Sequence, residues 1–86
     1  MVDEKRPAKE LVGKIVVTKE GKNLGEVQDI TFETRTGECV HVILKNPTRY
    51  ALELGLEKNT ERNYTVPYNS IIAIGDFVVV AEEDIV

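Results

Sequence analysis

The sequence predicts a mainly β domain: a small antiparallel β-barrel, closed or partly open, with one short helix. Three observations carry that expectation. Short β-branched runs recur between glycine-bearing turn segments. The apolar pattern of one run slips phase once, which asks for a bulge and therefore for curvature. The chain is 86 residues long with 42% hydrophobic and 30% charged residues, which suits a single compact core. A chain of this size buries only about 60–65% of the surface it exposes when unfolded, so a core plus a deep cleft is not expected.

The elements follow in order. Residues 1–10 mix charges of both signs around Pro7 and are read as a flexible N-terminal arm. Residues 11–81 form the domain, and the acidic residues 82–86, "EEDIV", form a C-terminal tail. "LVGKIVVT", Leu11–Thr18, is a strand, and "KEGKN" is a hairpin turn in which Gly21 supplies the left-handed residue. "LGEVQDITFE" is the second strand, where Gly25 fits a close backbone approach or a bend. Val27 has odd parity there and Ile30 and Phe32 even parity, so a bulge near Gln28–Asp29 would bring all three inward.

Gly37 marks the next turn, in "TRTGE". "CVHVIL" then places Val40, Val42 and Leu44 on one face, with Cys39, His41 and Ile43 on the other. In residues 46–56 the alternation of Leu52, Leu54 and Leu56 would allow a strand. The end signals favour a short helix: Asn46 or Thr48 as cap, Pro47 at the first helical position and Gly55 as the stop. Tyr64–Val66 and Ile71–Ile74 are strands around a turn, and Gly75–Asp76 turns the chain into a last strand from Phe77 to Ala81.

Composition excludes several functions. A net charge of −4 gives no general attraction to nucleic acid or to anionic lipid. One cysteine allows no internal disulfide. No apolar run approaches the ~20 residues of a membrane span, and "MVDEKRPAKE" lacks a secretory apolar stretch, so a cytoplasmic protein without membrane insertion is expected.

The motifs point the same way. A phosphate-binding loop ending at Gly21–Lys22 would need glycine where Val16 stands and a hydroxyl where Asn23 stands. It would also lead into a helix, not the strand "LGEVQDITF", so these glycines serve the turn. Cys39 and His41 are two ligand types on one strand face, but two ligands do not close a tetrahedral metal site. Asp29 and Asp76 sit at a bend and a turn, where aspartate bonds nearby amides. No catalytic constellation, cofactor or metal is therefore expected. Lys5, Arg6, Lys9 and Lys14 are diluted by Asp3, Glu4 and Glu10, and no exposed aromatic platform accompanies them, so no direct nucleic-acid contact is expected.

The most informative stretch is "IIAIGDFVVVA". A half-exposed antiparallel strand should alternate apolar and polar residues; here both faces are apolar. So small a domain has few elements to cover both, which points to a homodimer or partner interface centred on Phe77, Val78, Val79 and Val80. Glu53 and Glu57 would supply charge at its rim.

"LVGKIVVTKEGKNLGEVQDITFETRTGECVHVIL" followed by "YTVPYNSIIAIGDFVVV" resembles the PRC-barrel family, named for the photosynthetic reaction centre. The resemblance rests on Gly13, Gly21, Leu24, Gly25, Val27, Asp29, Gly37, Val66, Pro67, Tyr68, Gly75, Asp76 and Val78–Val80, and covers about Leu11 to Ala81. Tyr68 stands where many members carry Trp or Phe. The resemblance implies a small barrel without catalytic residues that works as an interaction module. Members occur in the reaction-centre H subunit, in a ribosome maturation factor and as short stand-alone archaeal proteins, to which this chain is most similar. Some of these are dimeric cell-division adaptors that bind the membrane anchor of the tubulin-like division ring. The resemblance therefore implies a homodimer with a division-ring anchor protein as partner. The alternative is an accessory factor in ribosome assembly or RNA metabolism.

Overall fold

A computed structural model describes residues 10–33, 35–37, 39–59 and 61–85 of the chain. The expected N-terminal arm lies outside these residues, apart from Glu10. The described strands are β1 (Ile15–Thr18), β2 (Asn23–Phe32), β3 (Cys39–Lys45), β4 (Thr65–Pro67), β5 (Ile71–Ile74) and β6 (Phe77–Val80). A short helix, α1 (Arg49–Glu53), separates β3 from β4, and 3-10 turns occupy Tyr68–Ser70 and Glu82–Asp84. The strands form one sheet in the order β4-β3-β2-β1-β6-β5. The domain is thus mainly β with one short helix, as expected, and the sheet is open.

One ladder departs from the antiparallel expectation: β1 and β6 run parallel, with Ile15 beside Phe77 and Thr18 beside Val80. The cause lies at the sheet's edges. Following the ladders from β4 to β5 shows that these two edge strands point the same way. Only Tyr68–Ser70 separates them. The chain therefore runs as one kinked path that first pairs with β3 and then with β6. A path so short can reach both ends of the sheet only if the sheet curls.

Bulges supply that curl. On β2, Val27 pairs with Leu44 and Asp29 with Ile43, so Gln28 is the extra residue and Val27 and Ile30 both turn inward, as the phase slip requires. Phe32 does not follow them; it is 45% exposed. The ladder from β1 ends at Val27, where Gly13 donates to its carbonyl and its own N–H bonds to Lys14. The ladder from β4 ends at His41. The far end of the β2–β3 hairpin therefore projects past the sheet, and Phe32 and Val40 are exposed there with no inner layer to join.

Residues 49–53 are helical rather than extended. The Thr48 hydroxyl accepts the Ala51 N–H at 3.2 Å, and Gly55 follows the helix end with φ 77°. Pro47 precedes the cap and is not the first helical residue. Helix and sheet meet at Gly25, whose backbone lies against residues 45–47.

The core fills the inside of the curl with Val16, Leu24, Val27, Val42, Leu44, Val66, Val78 and Val80. Leu11 and Ala51 are buried with them. Each such side chain contributes roughly 1.5–3 kcal/mol relative to exposure. Residues 82–85, expected as a tail, contact this body: the Tyr50 hydroxyl donates to Glu82, Lys19 donates to Glu83, and Ile85 packs against the core.

Candidate interaction surface

Residues opposite one another across a ladder share a face of the sheet. Val78 and Val80 lie beside Val16 and Thr18 and are 0% exposed, so this row faces the core. The alternate row faces out: Phe77 beside Ile15, and Val79 between Val17 and Ala73. The four residues expected as one interaction patch are therefore split by the pleat. Phe77, 52% exposed, and Val79, half-buried, belong to the outer surface. Val78 and Val80 belong to the core.

The outer surface itself divides in two. On β2 and β3 it carries Glu26 opposite Lys45, Asp29 opposite Ile43 and Thr31 opposite His41, polar and charged groups around one apolar side chain, Ile43, that is itself buried. On β1, β6 and β5 it carries Ile15, Val17, Phe77, Val79 and Ala73, with no charge. Ile72, the extra residue of a bulge between β5 and β6, is 53% exposed beside them. Reasoning from the sequence missed Ile15, Val17 and Ala73. The signal was present in "IVVT", which is apolar on both faces just as "FVVV" is.

The expected turn and bend residues fall as follows. The Gly21 N–H closes the β1–β2 turn on the Thr18 carbonyl at 2.9 Å, and Gly37 N–H bonds to Glu33 at 2.7 Å. Asp29 follows the bulge, with its carboxylate accepting the Ile30 N–H at 2.8 Å. Gly75 and Asp76 link β5 to β6, and Gly75 N–H bonds to the Phe77 carbonyl. The proposed rim charges lie elsewhere: Glu53 is 3.6 Å from Arg49 along α1, and Glu57 lines a recess.

That recess, lined by His41, Glu57, Thr65, Pro67 and Ile85, holds about 70 Å³. It has room for a few waters, whereas ligand pockets start at roughly 300 Å³. Among the described residues, no three His, Cys, Asp or Glu side chains gather as a metal-binding set. No helix among them is long and apolar enough to cross a membrane.

A polar corner lies where the β1–β2 turn, α1 and the C-terminal turn meet. Lys19 donates to Glu83 at 2.9 Å, and the Tyr50 hydroxyl donates to Glu82. The Lys22 ammonium lies 5.2 Å from the Tyr50 ring centre. The hydrogen bond from Lys19 holds the Glu83 carboxyl below the ordinary carboxylate range, and the same bond with its opposite charge raises Lys19. Donation to Glu82 raises the Tyr50 phenol.

Two comparisons with known proteins bear on this architecture. An uncharacterized protein of Methanocaldococcus jannaschii is 30% identical over 82 residues, covering 95% of this chain and 88% of its own length. The model of the PRC-barrel domain matches residues 3–84. With that match spanning nearly all of the curled sheet and its turns, the chain belongs to the PRC-barrel domain family.

Proposed function

We propose that the chain is a non-enzymatic protein–protein interaction module acting as a dimeric adaptor. The observation that carries this reading is the apolar outer half of the sheet, on β1, β6 and β5, beside a half dressed with charge. Covering apolar surface contributes about 25 cal/mol per Å² removed from water, so a partner gains most on this side. The family supports the reading, because PRC-barrel domains mediate protein interactions and form a non-catalytic binding family. The curled sheet offers a rigid platform, so affinity comes from the apolar centre and specificity from the charges at its two ends, Lys14 with Asp76 and Lys19 with Glu83.

Resemblance to the stand-alone archaeal members supplies the setting: the cytoplasm, cell division, and the membrane anchor of the division ring as the partner. Affinity capture from native lysate, with and without nuclease, tests it. The expected result is recovery of the anchor protein in both conditions. Recovery of ribosomal proteins instead, lost on nuclease treatment, overturns the division role in favour of ribosome assembly.

A further inference from the structure

We propose that the outer face of β1, β6 and β5 pairs two copies of the chain face to face about a two-fold axis. This rests on the dimeric reading above and names the surface that makes the dimer.

Shape is the first reason. The outer row of β6 is large, Phe77 and Val79, and forms a ridge. The outer positions opposite them are small, Ala73 on β5 and Gly75 in the turn that follows it, and form a short trough that ends at the exposed side chain of Ile72. A two-fold axis lying in the contact plane, parallel to the strands and between the two rows, lays the ridge of each copy in the trough of the other. The surface is thus complementary to itself, which a closed two-fold contact requires. Two sheets so packed stand about 10 Å apart.

Charge is the second reason. The chain carries −4, so a second copy is repelled by most of the molecule. Between Arg62 and Glu82 the sequence has one charged residue, Asp76, and the outer positions of β1 have none. A like-charged copy approaches best on this side. Lys14 and Asp76 flank one end of the face, with the Lys14 ammonium bonded to the Gly75 carbonyl. Lys19 and Glu83 flank the other end. Each end carries both signs, so the two-fold arrangement brings no like charges into enforced opposition.

The contact is through the face and not through the β5 edge. That edge is four residues long and bulged at Ile72, two features that blunt strand-to-strand pairing.

Sedimentation velocity of the full chain over a wide concentration range tests the inference with two variants. Phe77→Ala removes the ridge. Gly75→Leu fills the trough; a β-carbon there meets nothing within 4 Å, and Gly75 is not left-handed, so the monomer keeps its thermal midpoint. The wild type is expected to be a dimer, and both variants to raise its dissociation constant about tenfold or more. If Phe77→Ala impairs folding, Gly75→Leu decides. Variants that dimerise like wild type overturn this surface and leave the dimeric adaptor standing. A wild type that stays monomeric at every concentration overturns both.

Discussion

Gly25 stands so close to Lys45 that a β-carbon built on it would lie 3.1 Å from the Lys45 carbonyl oxygen. The Asn46 carbonyl oxygen and the Pro47 α-carbon would each be 3.2 Å away, and Gly25 has φ 138°. All three neighbours are backbone, so none can swing aside. Gly25→Ala therefore combines left-handed strain with a backbone clash and should cost about 2–4 kcal/mol. For a domain of this size, that lowers the thermal midpoint by roughly 10–25 °C. A midpoint within about 3 °C of wild type would mean that β2 and residues 45–47 separate easily.

Thr48 joins helix to sheet with one hydroxyl. Its oxygen accepts the Ala51 N–H while its proton goes to the Asn23 carbonyl, and Thr48 N–H bonds to Leu24 at 3.2 Å. Thr48→Ala leaves an orphan at each end of that bridge and should cost about 1–2 kcal/mol. Thr48→Ser keeps both bonds and should recover most of the loss. In urea titrations the midpoint should fall for alanine at constant slope. Equal midpoints for Ala and Ser would sink the bridging role.

Much of this fold was legible because it is written in local chemistry. The Val27–Ile30 phase slip located the bulge near Gln28, and Gly55 located the end of α1, while its start, open in the sequence between Asn46 and Thr48, falls at Thr48. The parallel β1–β6 ladder was not legible, since it follows from where the kinked β4–β5 path returns to the sheet. The exposure of Phe32 escaped for a similar reason: parity gives its face, but only the reach of β1 and β4 decides whether a core lies beneath it. On the candidate surface, "FVVV" announced two apolar faces without saying which valines were core. The parallel register with β1 separates Val78 and Val80 from Phe77 and Val79.

The Lys19–Glu83 pair gives the C-terminal turn a pH dependence of known sign. The Glu83 carboxyl is lowered in the folded state, so its contribution is complete above the ordinary carboxylate range and is lost as pH falls through the folded value. Lys19 is raised, so its contribution is complete below the ordinary ammonium range and is lost as pH rises through the folded value. Tyr50 is also raised and adds to the alkaline loss. Lys19 and Glu83 are exposed and Tyr50 is only partly buried, so the effect is local and salt-sensitive. Amide protection at Asp84 and Ile85, whose N–H groups bond to Ala81 and Glu82, should hold near neutrality and be lost as pH falls below the ordinary carboxylate range. Lys19→Met should show weak protection throughout; protection equal to wild type would mean that the ion pair does not hold the turn.

Val78 and Val79 are neighbours in sequence with opposite surroundings, and the same substitution should separate them. Val78→Asp places a carboxylate at a position that is 0% exposed, among Val16 and the other core side chains. An unpaired charge there costs several kcal/mol, much of the roughly 5–15 kcal/mol that holds a domain of this kind together. Circular dichroism should find that variant largely unfolded at 25 °C. Val79→Asp places the carboxylate on the outer row between Val17 and Ala73, where water reaches it in the monomer. That variant should keep its β spectrum and lose self-association, because the ridge then carries a charge into an apolar contact. If Val79→Asp unfolds the chain as Val78→Asp does, the outer row is core and the apolar half of the sheet is covered from within.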